Sequence, residues 1–137
     1  MERVFVIQKE AVRYLAGKEK WVWVVDHFQP QSCVEIFKDL LLLTAPACYI
    51  FETIKFFLKF GKSALVGENT ERVTRQSSDF HVNFTRLRKS EKEINHAGAT
   101  FFNKLPRELK EKRNNKNFYK LLKEYLVGRI LYSVGDF

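Results

Sequence analysis

The sequence predicts a mostly α-helical protein with three N-terminal helices, a long basic irregular segment, then two or three short C-terminal helices. Three observations predict it. Apolar residues recur at helical spacing near both ends of the 137-residue chain. Helix punctuation sits where those patterns start and stop, at Gly17, Ser32, Pro46, Gly61 and Pro106. Between them, residues 62–96 lose any period and become dense in charge. The expected organisation is therefore a helical segment over 1–61, a basic irregular segment over 62–96 and a helical tail over 97–137.

The first helix is expected over residues 3–16. Val4, Ile7, Ala11 and Leu15 form one apolar stripe with Phe5 and Val12 beside it, and Lys9, Glu10 and Arg13 face away. Gly17 stands where such a helix stops. The pattern starts almost at Met1 with no N-cap ahead of it, as if the chain began inside a larger element. Trp21, Val22, Trp23, Val24 and Val25 are β-prone, but one short strand has no obvious partner, so an extended insertion is expected. The two indoles are buried side chains on one reading and a base-stacking platform on another.

Ser32 and Glu35 make a capping box for a second helix, with Ile36, Phe37, Leu40 and Leu41 as its apolar face. A third helix opens at Thr44-Ala45-Pro46, because proline is tolerated in a first turn, and ends at Gly61. Its face is Tyr49, Ile50, Thr53, Ile54, Phe57 and Leu58. Phe51, Phe56 and Phe60 carry apolar surface almost around the rod, so it is either central to a core or a docking helix. Further on, Phe80 to Phe84 alternates as a strand does. Residues 97–105 suit a short helix, Pro106 starts another turn, and Asn115 or Asn117 caps a last helix on Phe118, Leu121, Leu122, Tyr125 and Leu126. Gly128 is a place to kink or end it.

Composition narrows the function. Hydrophobic residues make up 45% and 13 residues are Phe, which is core material and excludes a disordered chain. Cys33 and Cys48 have no CxxC or Cys/His spacing around them, so two buried thiols are expected and no metal site. There is no signal-peptide pattern, and the longest apolar run is too short to span a bilayer. The expected location is intracellular, nuclear or cytoplasmic, with no secretion, no membrane partner and no small-molecule substrate. The Asn83-Phe84-Thr85 acceptor pattern carries little weight in that setting.

Charge is one-sided. Residues 70–124 hold 14 of the 24 Lys and Arg but only 7 of the 16 Asp and Glu. A positive excess of this kind calls for an anionic partner, and phosphate backbones are the commonest. Arg72, Arg75, Arg86, Arg88 and Lys89 alternate with Phe80, Phe84 and Leu87, a pattern that suits phosphate contacts with base stacking. The competing account is a solvated basic loop beside buried aromatics. Lys104, Arg107, Lys110, Lys112 and Arg113 form a second cluster, where Glu108 and Glu111 at helical spacing favour a solvated face.

Several segments resemble one family in the right order. Val6-Ile7-Gln8-Lys9-Glu10-Ala11-Val12-Arg13 resembles the "LQKRAVR" helix of non-LTR, jockey-like retrotransposon reverse transcriptases. Ser32-Cys33, Phe37-Lys38-Asp39-Leu40, Leu43-Thr44 and Tyr49-Ile50 resemble the "SCRPLFKELGILTLPSLYI" segment that follows. Residues 70–75 are similar to the "HSYNTR" signature, with Val73 in place of its Asn. Phe101-Phe102-Asn103-Lys104-Leu105-Pro106 resembles "LYNKLP". Phe118-Tyr119-Lys120-Leu121-Leu122 and Tyr132-Ser133-Val134-Gly135-Asp136-Phe137 resemble the terminal "FKKxLKxFL…YSVDEFL". The insertion at residues 21–29 has no counterpart.

In that family these segments follow the catalytic palm, in the thumb and tail. The resemblance thus implies a C-terminal, truncated RNA-directed DNA polymerase segment from a transposable element. Its implied partners are RNA or an RNA–DNA duplex and the upstream reverse-transcriptase domains. The family's paired metal-binding carboxylates come from a Phe/Tyr-Ala-Asp-Asp turn and an upstream Asp, and neither is in this sequence. Asp26, Asp39, Asp79 and Asp136 are scattered, and His27, His81 and His96 lie far apart. No P-loop, HExxH or Gly-x-Ser-x-Gly occurs. The chain is therefore expected to be no enzyme on its own, with no catalytic, cofactor or metal residues. Two alternatives stand beside this reading: a helical protein-interaction module docking through Phe51, Phe56 and Phe60, and a non-functional pseudogene product.

Overall fold

A computed structural model describes residues 2–17, 21–24, 27–30, 33–61, 78–82 and 93–137, with Glu2 and the residues of 21–30 described by their backbone. The protein is mostly helical. In order come α1 (Glu2–Leu15), strands β1 (Trp21–Val24) and β2 (His27–Pro30), α2 (Cys33–Asp39), α3 (Ala45–Phe60), α4 (Ile94–Asn103), α5 (Arg107–Glu111) and α6 (Phe118–Arg129), then a 3₁₀ turn at Val134–Asp136. The chain divides into two compact units. The first holds Met1–Cys48 with Glu124–Asp136, and the second holds Tyr49–Lys123 with Phe137.

In the first unit α1 packs on α2. The core is Phe5, Val12, Cys33, Ile36 and Phe37, with Ala16, Ala45 and Ile130 packed against it. This corrects the expected stripe on α1. Phe5 and Val12 are buried, whereas Val4 and Ile7 are 61% and 65% exposed and Leu15 is 75% exposed. α1 is apolar on two faces, so spacing alone could not choose between them. The larger ring decides it, because Phe5 meets Phe37 at 6.2 Å and Tyr132 edge-on at 5.5 Å. Gly17 has φ +59 and its N–H donates to the Tyr14 carbonyl at 3.1 Å, a left-handed stop suited to glycine.

The strand without a partner has one close by. β1 pairs antiparallel with β2, Trp21 opposite Pro30 and Val24 opposite His27. His27-Phe28-Gln29-Pro30 reads poorly as a strand, which is why the hairpin was not legible. Pro30 has no N–H to give, and it sits at the end of the ladder, where that loss matters least.

α2 stops at Asp39, earlier than its apolar run suggests. Leu41 N–H donates to Lys38 O and Leu42 N–H to Phe37 O, and Leu41 sits at φ 50. This is a Schellman stop with leucine in the place glycine usually takes. Leu40 and Leu41 are therefore exposed and do not form the helix's apolar face. Leu41→Gly should raise stability by about 1 kcal/mol, since the left-handed strain is relieved and little burial is lost. Denaturant unfolding with an unchanged m-value would read this directly, and a destabilised variant would refute it.

The start of α3 leaves no backbone donor of its first turn unaccounted for. Ala45 N–H donates to Gln8 Oε1 at 2.7 Å, Pro46 has no N–H, and Ala47 N–H reaches Thr44 Oγ1 at 3.4 Å. Cys48 N–H begins the helical series on Thr44 O at 2.8 Å. Gln8 Nε2 also donates to Leu43 O at 2.8 Å, so one amide ties α1 to this helix start. Thr44, 2% exposed, donates its own hydroxyl proton to Leu131 O at 2.7 Å. Cys33 is buried as expected, but Cys48 is exposed, because its position on α3 faces away from the core.

The second unit answers where the phenylalanines go. Ile50, Thr53, Ile54 and Phe57 of α3 are buried, as are Phe101 and Phe102 of α4, Leu105, Leu109, and Phe118 and Leu122 of α6. Two ring pairs meet edge to face, Phe57 with Phe80 at 4.9 Å and Phe80 with Phe102 at 4.9 Å, and Phe102 continues to Phe118 at 6.4 Å with the rings tilted. Tyr49, Phe101 and Phe137 form a second chain at 6.0 and 5.9 Å. α4 begins at Ile94, ahead of the expected Ala97, with Glu93 O accepting the Ala97 N–H at 2.9 Å. The turn before α6 is held by Asn115, whose Oδ1 accepts from Asn117 N–H at 3.0 Å, and Gly128 lies inside α6.

Candidate nucleic-acid interface

Arg72, Arg75, Arg86, Arg88 and Lys89 lie outside the described residues. What is described is the piece of chain between the two groups, residues 78–82, and it is pinned hard. Phe80 N–H donates to Asn103 Oδ1 at 2.8 Å, and Asn103 Nδ2 donates to Phe80 O at 2.8 Å. The side-chain amide thus does for Phe80 what a neighbouring strand's backbone would do. One residue earlier, Asp79 Oδ1 accepts from Lys110 Nζ at 2.7 Å, and the same ammonium donates to Asn103 O at 2.6 Å. The Lys110 and Asp79 side chains are only 10% and 21% exposed, so this pair is screened far less than a surface one. The Arg113 guanidinium lies 5.7 Å from the Phe80 ring centre.

Two expectations change. Phe80 was a candidate for stacking on a base, but its ring is taken by Phe57, Phe102 and Arg113. Lys110 was grouped with a solvated face, but it is the half-buried cation of the anchor. Its neighbours do behave as surface. Arg107 pairs with Glu111 at 2.7 Å along α5, while Lys104 and Lys112 are exposed. Asn103, Asp79 and Lys110 are the residues that charge counting missed. The available signal was Asn103 itself, a polar residue directly after Phe101 and Phe102.

Further along the second unit, Lys116, Lys120 and Lys123 are exposed at helical spacing on and just before α6. Lys120 and Lys123 give one face of α6 two exposed cations, and Lys116 is exposed in the turn before it. On α3, Phe56 and Phe60 are 46% and 56% exposed and their rings meet at 4.7 Å, tilted by 45°. Lys59 Nζ lies 5.1 Å from the Phe60 ring and Lys55 Nζ 5.9 Å from that of Phe51.

His81 is exposed, and His96 is half-buried on α4. Asp136 accepts the N–H groups of Tyr132 and Ser133 at 3.1 and 2.7 Å, which closes the tail turn. Among the described residues no three of His, Cys, Asp and Glu gather as metal ligands, and no helix is long and apolar enough to cross a membrane. Comparison with protein-family models, curated proteins and solved structures finds no match to this chain.

Proposed function

We propose that the chain is a reverse-transcriptase thumb-and-tail segment of retrotransposon type that contacts an RNA or RNA–DNA duplex through its phosphates and does no polymerase chemistry by itself. One observation carries it: the Asn103–Phe80 and Lys110–Asp79 anchor fastens the middle of the basic segment to a helical unit that also exposes Lys116, Lys120 and Lys123. Arg75 stands five residues before Phe80 and Arg86 six after it, so the anchor lies between the two arginine groups along the sequence. The order of the family-like segments along the chain supports the same reading. The Phe/Tyr-Ala-Asp-Asp turn of the resembled family does not occur in this sequence, and duplex holding is the role this reading gives it.

Binding to an RNA–DNA hybrid should fall by about two to three orders of magnitude between about 50 and 200 mM salt, as for roughly five phosphate contacts. Arg86→Ala with Arg88→Ala should weaken all sequences alike and reduce the salt slope by about 2. No binding at low salt, or binding indifferent to salt, would sink the proposal. The exposed Phe56–Phe60 pair favours a second reading, a helical protein-docking module. In that case Phe56→Ser should abolish partner capture, with little salt dependence.

A further inference from the structure

The first unit contains a half-open pocket of about 400 Å³ lined by Phe5, Val6 and Lys9 of α1, Pro46 of α3, and Tyr132, Ser133 and Val134 of the tail. We infer that this pocket binds a small aromatic carboxylate, with its ring against Phe5 and Tyr132 and its charge at Lys9. The volume lies in the range of about 300–1,000 Å³ usual for small-molecule sites.

The walls are mostly apolar, and every polar side chain among them can donate a hydrogen bond. Lys9 has its ammonium, Tyr132 its phenol and Ser133 its hydroxyl, and no carboxylate or amide lines the space. Ser133 Oγ already accepts Gly135 N–H at 2.9 Å, which leaves its own proton to give. The Lys9 ammonium stands 4.9 Å from the centre of the Phe5 ring. Among the described residues no carboxylate lies within ion-pair distance of it. An ammonium held against an aromatic wall is less hydrated than one in bulk water, so an anion seated beside it is attracted more strongly.

An aromatic body fits better than a floppy chain because the walls offer ring surfaces, with Phe5 and Tyr132 edge to face at 5.5 Å. The pocket is also held open by bonds it does not share with a ligand. Gln8 fixes α1 to the start of α3 and Thr44 fixes that start to Leu131. Asp136 is an anion of the same tail turn. It lies outside the lining, and its Oδ2 is occupied by the Tyr132 and Ser133 N–H groups.

The test is calorimetric titration of the full chain with 1-naphthylacetate and with its neutral isostere 1-naphthylacetamide at low ionic strength. The acid is expected to bind about tenfold more tightly than the amide, as one partly exposed ion pair allows. Lys9→Met keeps the aliphatic stem and should erase that preference while leaving the amide's affinity unchanged. Lys123→Met, an exposed cation on α6, removes the same net charge and should leave the preference intact. Val6→Trp fills the rim and should weaken both ligands. Equal binding of acid and amide, no heat from either at millimolar concentration, or an equal loss in the Lys9→Met and Lys123→Met variants would overturn the assignment. Helical circular dichroism of each variant separates lost binding from lost folding.

Discussion

Replacing Gly98 with alanine is expected to destabilise the protein by about 2–4 kcal/mol, despite being a change that favours helices. In an open helix interior, Gly→Ala gains roughly 0.8–1.0 kcal/mol. Here the added methyl would run into the Cβ of Phe57, with the ring's Cγ 2.5 Å away and its Cδ2 at 3.0 Å. The obstruction begins at Phe57 Cβ, an atom tied to the α3 backbone, so a rotamer change cannot clear it. α4 must shift, and both Gly98 and Phe57 are buried. The Phe57 ring also meets Phe80, so the shift would reach the anchor of the basic segment. Equilibrium unfolding in urea should show the loss. Adding Phe57→Ala removes the ring contacts but keeps Cβ, so the double variant should recover only about 1 kcal/mol of coupling. A Gly98→Ala variant within about 0.5 kcal/mol of wild type would show that the helices do not meet this closely.

Helix existence was legible because the punctuation and the periodicity agreed. Pro46 after Thr44, Gly61 after Phe60 and Pro106 after Leu105 each mark an end found in the structure. The buried faces of α3 and α6 were legible too, since Ile50, Ile54 and Phe57, and Phe118, Leu122 and Leu126, follow one stripe. α1 was not, because two apolar stripes share it and the choice depends on what Phe5 meets across the unit. Leu41 shows a different failure. Its left-handed φ is a property of chain direction after α2, and leucine carries no local sign of it.

The candidate interface was legible only as charge. Counting cations could pick out a basic segment but could not tell a solvated lysine from a structural one. Lys110 lies in the last turn of α5 and Lys112 caps its end two residues on, and only Lys110 faces Asp79 and the Asn103 carbonyl. Partners 31 residues away in sequence leave no trace in local spacing. Asn103 is the exception, because an amide inside an aromatic run needs partners when it is buried.

Asn103→Leu should be the most disruptive polar substitution in the second unit. Leucine matches the amide in size but removes both bonds to Phe80, and leaves the Phe80 N–H and C=O half-buried without partners. A cost of about 2–4 kcal/mol follows from two orphaned backbone groups. Asn103→Asp should cost less, because a carboxylate still accepts the Phe80 N–H, though it then faces the Phe80 carbonyl instead of donating to it. The order of stability is therefore wild type, then Asp, then Leu, and Phe80 amide exchange should quicken in the same order. Neither substitution removes a positive charge. If the anchor sets the positions of the arginines on either side of it, hybrid affinity in Asn103→Leu falls severalfold while the salt slope stays as in wild type, provided the helices remain folded. Loss of slope would mean that phosphate contacts had gone with the anchor, and wild-type affinity in a variant whose Phe80 amide exchanges freely would show that the arginines bind without it.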